Sequence, residues 1–255
     1  MIVNLNSIQF GEPSNPPVVI LHGLFGSSSN WRTIASRLST RFYVLCVDLR
    51  NHGKSGWSDS MSYLDMAQDL AVFIDDNHLD GAHLIGHSMG GKTVMAYLQH
   101  QKPSIARSVI VDIAPVTYSH DHDQLIDALQ KLDLDSISSR NEADQLLSID
   151  LPDAPIRQFL LQNLVRVEDG FSWRINLAAI TQNKDSLFAY PESQPSKAEI
   201  LFIRGNHSDY ILTEHYDFID RQFPNSRIQT MEGTGHWLHA EKPRELTEWL
   251  FEFLG

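Results

Sequence analysis

The stretch "HLIGHSMGGKTVM", His83 to Met95, sets a short apolar run against an amphipathic one, with a serine held between glycines at the junction. Gly86, Ser88 and Gly90 fit the pattern G-x-S-x-G in a strand, turn, helix context, where a sharp turn exposes the serine hydroxyl above a sheet. The glycines answer a physical need, because such a turn brings the strand and helix backbones so close that a side chain at either position would collide. Ser88 is therefore a candidate nucleophile, although the same residue could serve as a plain helix N-cap. The amide of Met89, in the first turn of the following helix, points to the same spot and gains from the helix dipole.

Outward from this turn, "PVVILHG", "FYVLCVDLR", "AHLIGHS", "RSVIVDIAP", "AEILFIRGN" and "SRIQTMEG" read as strands, most apolar on both faces. Such strands belong in a sheet covered on both sides. Helical spacing separates them in "NWRTIASRLS", "YLDMAQDLAVFIDDNH" and "GGKTVMAYLQHQ", and "PRELTEWLFEFL" closes the chain from a proline suited to a helix start. Alternating strand and helix predicts a mainly parallel α/β sheet. The alternation breaks over residues 116–195, where "DHDQLIDALQKL", "SSRNEADQLLSI" and "PIRQFLLQNLVRV" read as successive helices, followed by "GFSWRINLAAI". The expectation is a core of residues 1–115 and 196–255 with a helical cap inserted at 116–195, roofing the carboxyl edge where open α/β sheets bind ligands.

A serine hydroxyl needs a general base near neutral pH, and a histidine after the last strand can supply it. His236, in "EGTGHWLHAEKP", stands there with His239 as local rival. Two carboxylates can orient that imidazole: Asp112, which ends the apolar strand "SVIVD", and Asp209, in the turn-rich "GNHSDY". An acid closing an apolar strand demands a partner, whereas an aspartate in a solvated turn does not. A second oxyanion donor is expected from "LHGLFGSSSNW", where Gly23 lets the chain turn so that the amide of Leu24, or alternatively of Phe25, faces the site. In "VDLRNHGKS", Asp48, Arg50 and His52 are read as loop-knitting hydrogen-bonding residues, and Lys92 as one member of a structural ion pair. Phe159, Phe171, Trp173, Phe188 and Trp237 are candidates for an apolar pocket under the cap.

"HGLFGSSSNW", "DLRNHGKS", "GHSMGGK", "VDIAP" and "GTGHWLHAEKP", in this order and spacing, resemble the α/β-hydrolase superfamily, and more narrowly the bacterial YbfF-type esterases. The resemblance spans the chain apart from the cap. It implies an eight-stranded, mostly parallel core with a helical cap, ester hydrolysis through an acyl-enzyme, and no cofactor. Ser88 and His236 match the family's nucleophile and base. Many superfamily members carry the acid in a G-x-x-D turn after the next-to-last strand, but here Gly205 and Asp209 lie one residue further apart; in the YbfF-like branch the acid is the aspartate of D-I-A-P, which is Asp112.

The expected activity is therefore a carboxylesterase or thioesterase acting on small to medium acyl groups, acyl-CoA types included. Carbon–carbon bond hydrolysis or lyase chemistry on the same triad is the enzymatic alternative, and a ligand receptor that has lost productive geometry is the non-enzymatic one. Subtracting 32 acidic from 20 basic side chains leaves a net charge of -12 over 255 residues, which argues against nucleic acid or an anionic membrane as partner. The single cysteine, Cys46, excludes an internal disulfide and reads as a small apolar residue in a buried strand. With neither a signal-like start nor an apolar run long enough for a bilayer, a cytoplasmic protein is expected, monomeric or at most dimeric. His120 and His122 in "SHDHD" are sound ligand types, but no third cluster supports them and no metal is expected.

Overall fold

The computed structural model describes residues 1–101, 104–118, 123–191 and 193–255; "SHDHD" falls largely outside them, His120 and His122 included. Nine strands are found among these residues: β1 (Ser7–Phe10), β2 (Pro17–Leu21), β3 (Tyr43–Val47), β4 (His83–His87), β5 (Ser108–Val111), β6 (Leu164–Val167), β7 (Gly170–Trp173), β8 (Ile200–Gly205) and β9 (Ser226–Met231). Seven form one sheet in the order β1-β3-β2-β4-β5-β8-β9, parallel throughout except for β1, which pairs antiparallel with β3. The eight strands implied by resemblance are thus seven. Residues 1–6 do not add a further edge: the Gly56 and Asp48 amides donate to the carbonyls of Asn4 (3.2 Å) and Asn6 (2.9 Å), and the Val3 amide donates to Asp69 (2.8 Å). Their backbone groups are held by core loops instead of by β1.

The apolar strand runs divide by alternation. Val19, Leu21, Leu45, Val47, Leu84, Ile110 and Phe202 are buried on the face covered by α2 (Tyr63–Asp76) and α3 (Met89–His100), while Val18, Ile20, Val44, Cys46, Ile85, Val109 and Ile203 are buried on the other, under α1 (Arg32–Leu38) and the last helix, Pro243–Leu254. A sheet buried on both faces removes most of its apolar surface from water, at about 25 cal/mol per Å².

Between β5 and β8 the chain leaves the sheet. It forms α4 (Asp123–Lys131), α5 (Arg140–Asp150), α6 (Ala154–Leu160), the β6–β7 hairpin, α7 (Leu177–Gln182) and α8 (Lys184–Phe188). The hairpin corrects an all-helical expectation: "PIRQFLLQNLVRV" is helical only as far as Asn163, ending in a 3-10 turn over Leu161–Asn163, and Leu164–Val167 pairs with Gly170–Trp173. The inserted segment is tied down at several points. Asn163 donates to the carbonyl of Phe25 (2.7 Å), Asn176 to that of Asn51 (2.9 Å), and Asn30 donates to Gln162 (2.9 Å). Then α9 (Tyr216–Gln222), α10 (Leu238–Glu241) and α11 (Pro243–Leu254) complete the chain. No helix among the described residues is long and apolar enough to cross a membrane.

The strand order reverses between β2 and β4, the point where β2 leads to one side of the sheet and β4 to the other. Open α/β sheets bind their ligands in the crevice at that reversal, and it is here that "HGLF" and "GHSMGG" leave their strands.

Candidate active site

Four strand exits are bent into the left-handed region by residues that carry side chains: Phe25 after β2 (φ 60°), Asn51 after β3 (φ 64°), Ser88 after β4 (φ 52°) and Asp112 after β5 (φ 52°). A non-glycine residue there is strained, and strain of this kind persists only where the surroundings over-determine it. At Ser88 the surroundings are the elbow itself. Its amide donates to the Val111 carbonyl (3.0 Å), and a Cβ on Gly86 would stand 2.4 Å from the Gly90 carbonyl oxygen, while one on Gly90 would stand 2.5 Å from that of Leu21. The close packing of β2, β4 and the start of α3 admits nothing larger than glycine.

Asp112 is fully buried and its hydrogen bonds are all accounted for. Its Oδ2 accepts from His236 Nδ1 (2.8 Å) and from the Ser208 hydroxyl, and its Oδ1 accepts from the Gly205 amide (3.0 Å). A buried carboxylate with three donors has its polar atoms satisfied and is held in one orientation. Asp209 is exposed, apart from this network. His236, whose side chain is 15% exposed, stacks on Tyr210 (centroids 3.9 Å apart), and its carbonyl accepts from His87 Nε2 (2.8 Å). With Nδ1–H committed to Asp112, Nε2 is the nitrogen left to face the cleft that His236 shares with Ser88. The rival His239 is buried, stacks on Trp31 (4.8 Å), and has its imidazole pushed down to about 3 by that burial.

The two oxyanion candidates in "HGLF" separate on their hydrogen bonds. The Phe25 amide donates to His52 Nε2 (3.2 Å) and is occupied; among the described residues no acceptor stands against the amides of Leu24 or Met89. A pair of buried histidines sets this loop. His22 meets the Gly23 carbonyl through Nδ1 (2.8 Å) and accepts the Leu49 amide at Nε2 (3.0 Å); His52 meets the Arg50 carbonyl through Nδ1 (2.9 Å). Each donates at one nitrogen and accepts at the other, which requires the neutral ring, and burial lowers both pKa values, that of His52 to about 3. Asp48 holds the same loops through the Ser28 and Lys54 amides (2.7 and 3.0 Å), and Arg50 forks onto Asp69 (2.6 and 2.9 Å). Asp48, Arg50 and His52 thus knit loops together, as their spacing predicts.

Phe159 and Trp237 line the cleft, with ring centroids 6.1 Å apart, and Phe188 lines a second chamber on the other side of Ser88. Trp173 and Phe171 do not line either: they belong to the β7 strand of the hairpin, where Phe171 lies under Arg166. Lys92 is also corrected. It faces no carboxylate among the described residues; its ammonium donates to the carbonyls of Phe188 (2.8 Å) and Ala189 (2.7 Å) beside the rings of Tyr63 and Tyr118. Sequence reasoning missed Ser208 and Tyr210, although they flank the alternative acid Asp209 in "GNHSDY". Their only sequence signal was that this loop follows a core strand at the same edge. Among the described residues no group of three His, Cys, Asp or Glu side chains could hold a metal.

A sheet of this order, with a glycine-flanked serine at its reversal, defines a class, and comparison with known proteins agrees with it. Residues 16–243 match the family model of the alpha/beta hydrolase fold, and the chain belongs to that family. It is 39% identical to the sn-1-specific diacylglycerol lipase ABHD11 of Mus musculus, over 96% of this chain and 82% of the relative, and 36% identical to esterase YbfF of Escherichia coli K12, over 91% and 90%. A solved marine microorganism esterase superposes with a TM-score of 0.95 at 36% identity, covering 98% of this chain and 99% of that one.

Proposed function

We propose that this α/β hydrolase cleaves carboxylic esters or thioesters of small to medium acyl groups through an acyl-enzyme on Ser88. The observation that carries the reading is the buried relay from Ser208 and Gly205 through Asp112 to His236, converging with Ser88 on one cleft. The names of the relatives, a lipase and two esterases, support the ester-cleaving class.

Ser88 Oγ attacks the acyl carbonyl carbon while His236 Nε2 takes the hydroxyl proton, and Asp112 stabilises the imidazolium that results. The carbonyl oxygen, now anionic, is met by the Leu24 and Met89 amides, the latter at the positive end of α3. The bond to the leaving oxygen or sulfur then breaks as His236 returns the proton to it. Water repeats the sequence in reverse: His236 removes its proton, its oxygen bonds to the acyl carbon, and Ser88 leaves with the proton restored. Residues 116–195 act as a cap that keeps bulk water from these charges and shapes the acyl and leaving-group sites.

The test is steady-state hydrolysis of matched esters and thioesters, from short to long acyl chains, by wild type and Ser88→Ala. Turnover that disappears with Ser88 supports the reading. Turnover absent from both proteins, or equal in both, overturns it.

A further inference from the structure

The loop after β8 touches the proposed triad twice. Ser208 donates its hydroxyl to Asp112 Oδ2, and the ring of Tyr210 lies on His236 with centroids 3.9 Å apart and planes 22° from parallel. His87 and Trp237 also meet the imidazole, at 4.7 Å and 40° and at 5.8 Å and 65°. Of the three rings, Tyr210 is the nearest and the flattest.

The backbone fixes that placement. The Tyr210 amide donates to the Ser208 hydroxyl (3.3 Å), and its carbonyl accepts from the Tyr118 hydroxyl (2.6 Å), which in turn accepts from the Ala114 amide (2.8 Å). Ala114 stands two residues after Asp112, so the loop that supplies the acid and the loop that supplies the ring are fastened to each other. Earlier in the same loop, the His207 amide donates to the Thr234 carbonyl (3.0 Å), and Asn206 accepts the Gly233 and Thr234 amides (2.7 and 3.2 Å) from the loop that carries His236. Three strand exits are thus tied into one unit with the stack inside it.

The face of an aromatic ring carries the negative part of its quadrupole, so it attracts a cation laid on it more than a neutral ring. A histidine acting as general base is neutral while it waits and cationic once it holds the proton. The titratable groups packed around His236 bring no second positive charge. Burial lowers His87 well below the ordinary histidine value and His239 to about 3, and it pushes the Tyr210 hydroxyl up to about 12, so all three are neutral near pH 7. Asp112 is the charged group in contact with the imidazole among the described residues, and Glu241 accepts the Gly235 and Trp237 amides (2.8 and 3.3 Å).

We propose that Tyr210 is a positioning residue for the reaction: its ring holds the His236 imidazole in line with Asp112 and favours the imidazolium over the neutral ring when Ser88 releases its proton. The proposal rests on the ester-hydrolase reading of Ser88. The proton passes from Ser88 Oγ to His236 Nε2, and Tyr210 exchanges none.

The test sets Tyr210→Leu, which removes the ring, beside Tyr210→Phe, which keeps it. Tyr210→Leu is expected to lower kcat on a short-chain ester by about 10-fold with KM changed by less than about threefold. It should also move the acid limb of kcat/KM to lower pH by about half a unit or more, because an imidazolium without its ring gives up its proton more easily. Tyr210→Phe should recover most of both effects. Tyr210 replaced by pentafluorophenylalanine, which keeps the shape of the ring and reverses its quadrupole, should behave as Tyr210→Leu does. In the Ser88→Ala background, the imidazole NMR signal that disappears in His236→Gln should show the same downward movement of its midpoint. A fall in kcat with neither midpoint moved would make Tyr210 a packing residue of its loop and overturn the proposal. So would a Tyr210→Phe variant as impaired as Tyr210→Leu, or a Tyr210→Leu variant that matches wild type. Turnover absent from wild type, or surviving Ser88→Ala, would instead remove the hydrolase reading, while the NMR midpoints still decide whether Tyr210 favours the cation.

Discussion

At the scale of single residues, the proposed chemistry rests on Ser88, His236 and Asp112, and each carries a sharp expectation. Ser88→Ala should lower turnover by on the order of 10⁴ or more, and Asp112→Asn by on the order of 10³, measured as kcat on one ester. Asp209→Asn should stay within about twofold of wild type, since an exposed carboxylate away from the imidazole orients nothing. A large loss at Asp209 with little at Asp112 would reverse the assignment. Cys46 illustrates the opposite case: it is buried in β3 and its thiol is pushed up to about 12, chiefly by burial. The native protein should therefore leave Cys46 unlabelled by iodoacetamide at pH 8, and labelling should follow only on unfolding.

At the scale of elements, the site is an accident of neither strand nor helix but of how four strands end. Phe25, Asn51, Ser88 and Asp112 all turn into the left-handed region at the carboxyl edge. The elbow depends on the close approach at Gly86, so Gly86→Ala should destabilise the protein by several kcal/mol, because the added methyl meets backbone and not a side chain that can move. Thermal or urea unfolding checks this. Arg50 and Asp69 brace the neighbouring exit, both 1% exposed, and removing one partner of such a pair costs about 3 to 5 kcal/mol. Asp69→Asn should accordingly lower the unfolding midpoint while leaving substrate preference unchanged. Six strands and four core helices were legible in the sequence: five of the strands, buried on both faces, read as uninterrupted apolar runs, and the edge strand β9 was found between turn residues after the last loop. β1 was not, being a half-exposed edge with Ser7 and Gln9 in it. The β6–β7 hairpin was hidden likewise, since "LVRV" continues the apolar spacing of the helix before it and only pairing with "GFSW" makes it a strand.

For the molecule as a whole, the inserted segment and the core meet over Ser88, and Lys92 lies at that junction. Its folded pKa of about 7 is below the ordinary lysine value of 10.5, so between these limits the unfolded chain binds the extra proton. Stability due to this group therefore rises with pH from about 7 to about 10.5, and is flat below and above that window. The stability of wild type minus that of Lys92→Met, from urea unfolding across pH 6 to 10, should climb by on the order of a few kcal/mol. A flat difference would mean that the ammonium is not buried as described.

The sequence by itself determined the class of this protein: apolar runs alternating with amphipathic ones, a serine between glycines where one gives way to the other, and a late histidine. Those are local properties, written in neighbours along the chain. It also placed two aspartates at the right edge of the sheet. Tertiary structure alone brought Asp112 within 2.8 Å of His236, 124 positions away, and closed the Phe25 amide off with His52. It likewise set Lys92 beside the carbonyls of residues almost a hundred positions on, where sequence reasoning had given it an ion pair. A hydrogen bond between distant residues depends on burial and direction, and neither exists until the sheet has been assembled and covered.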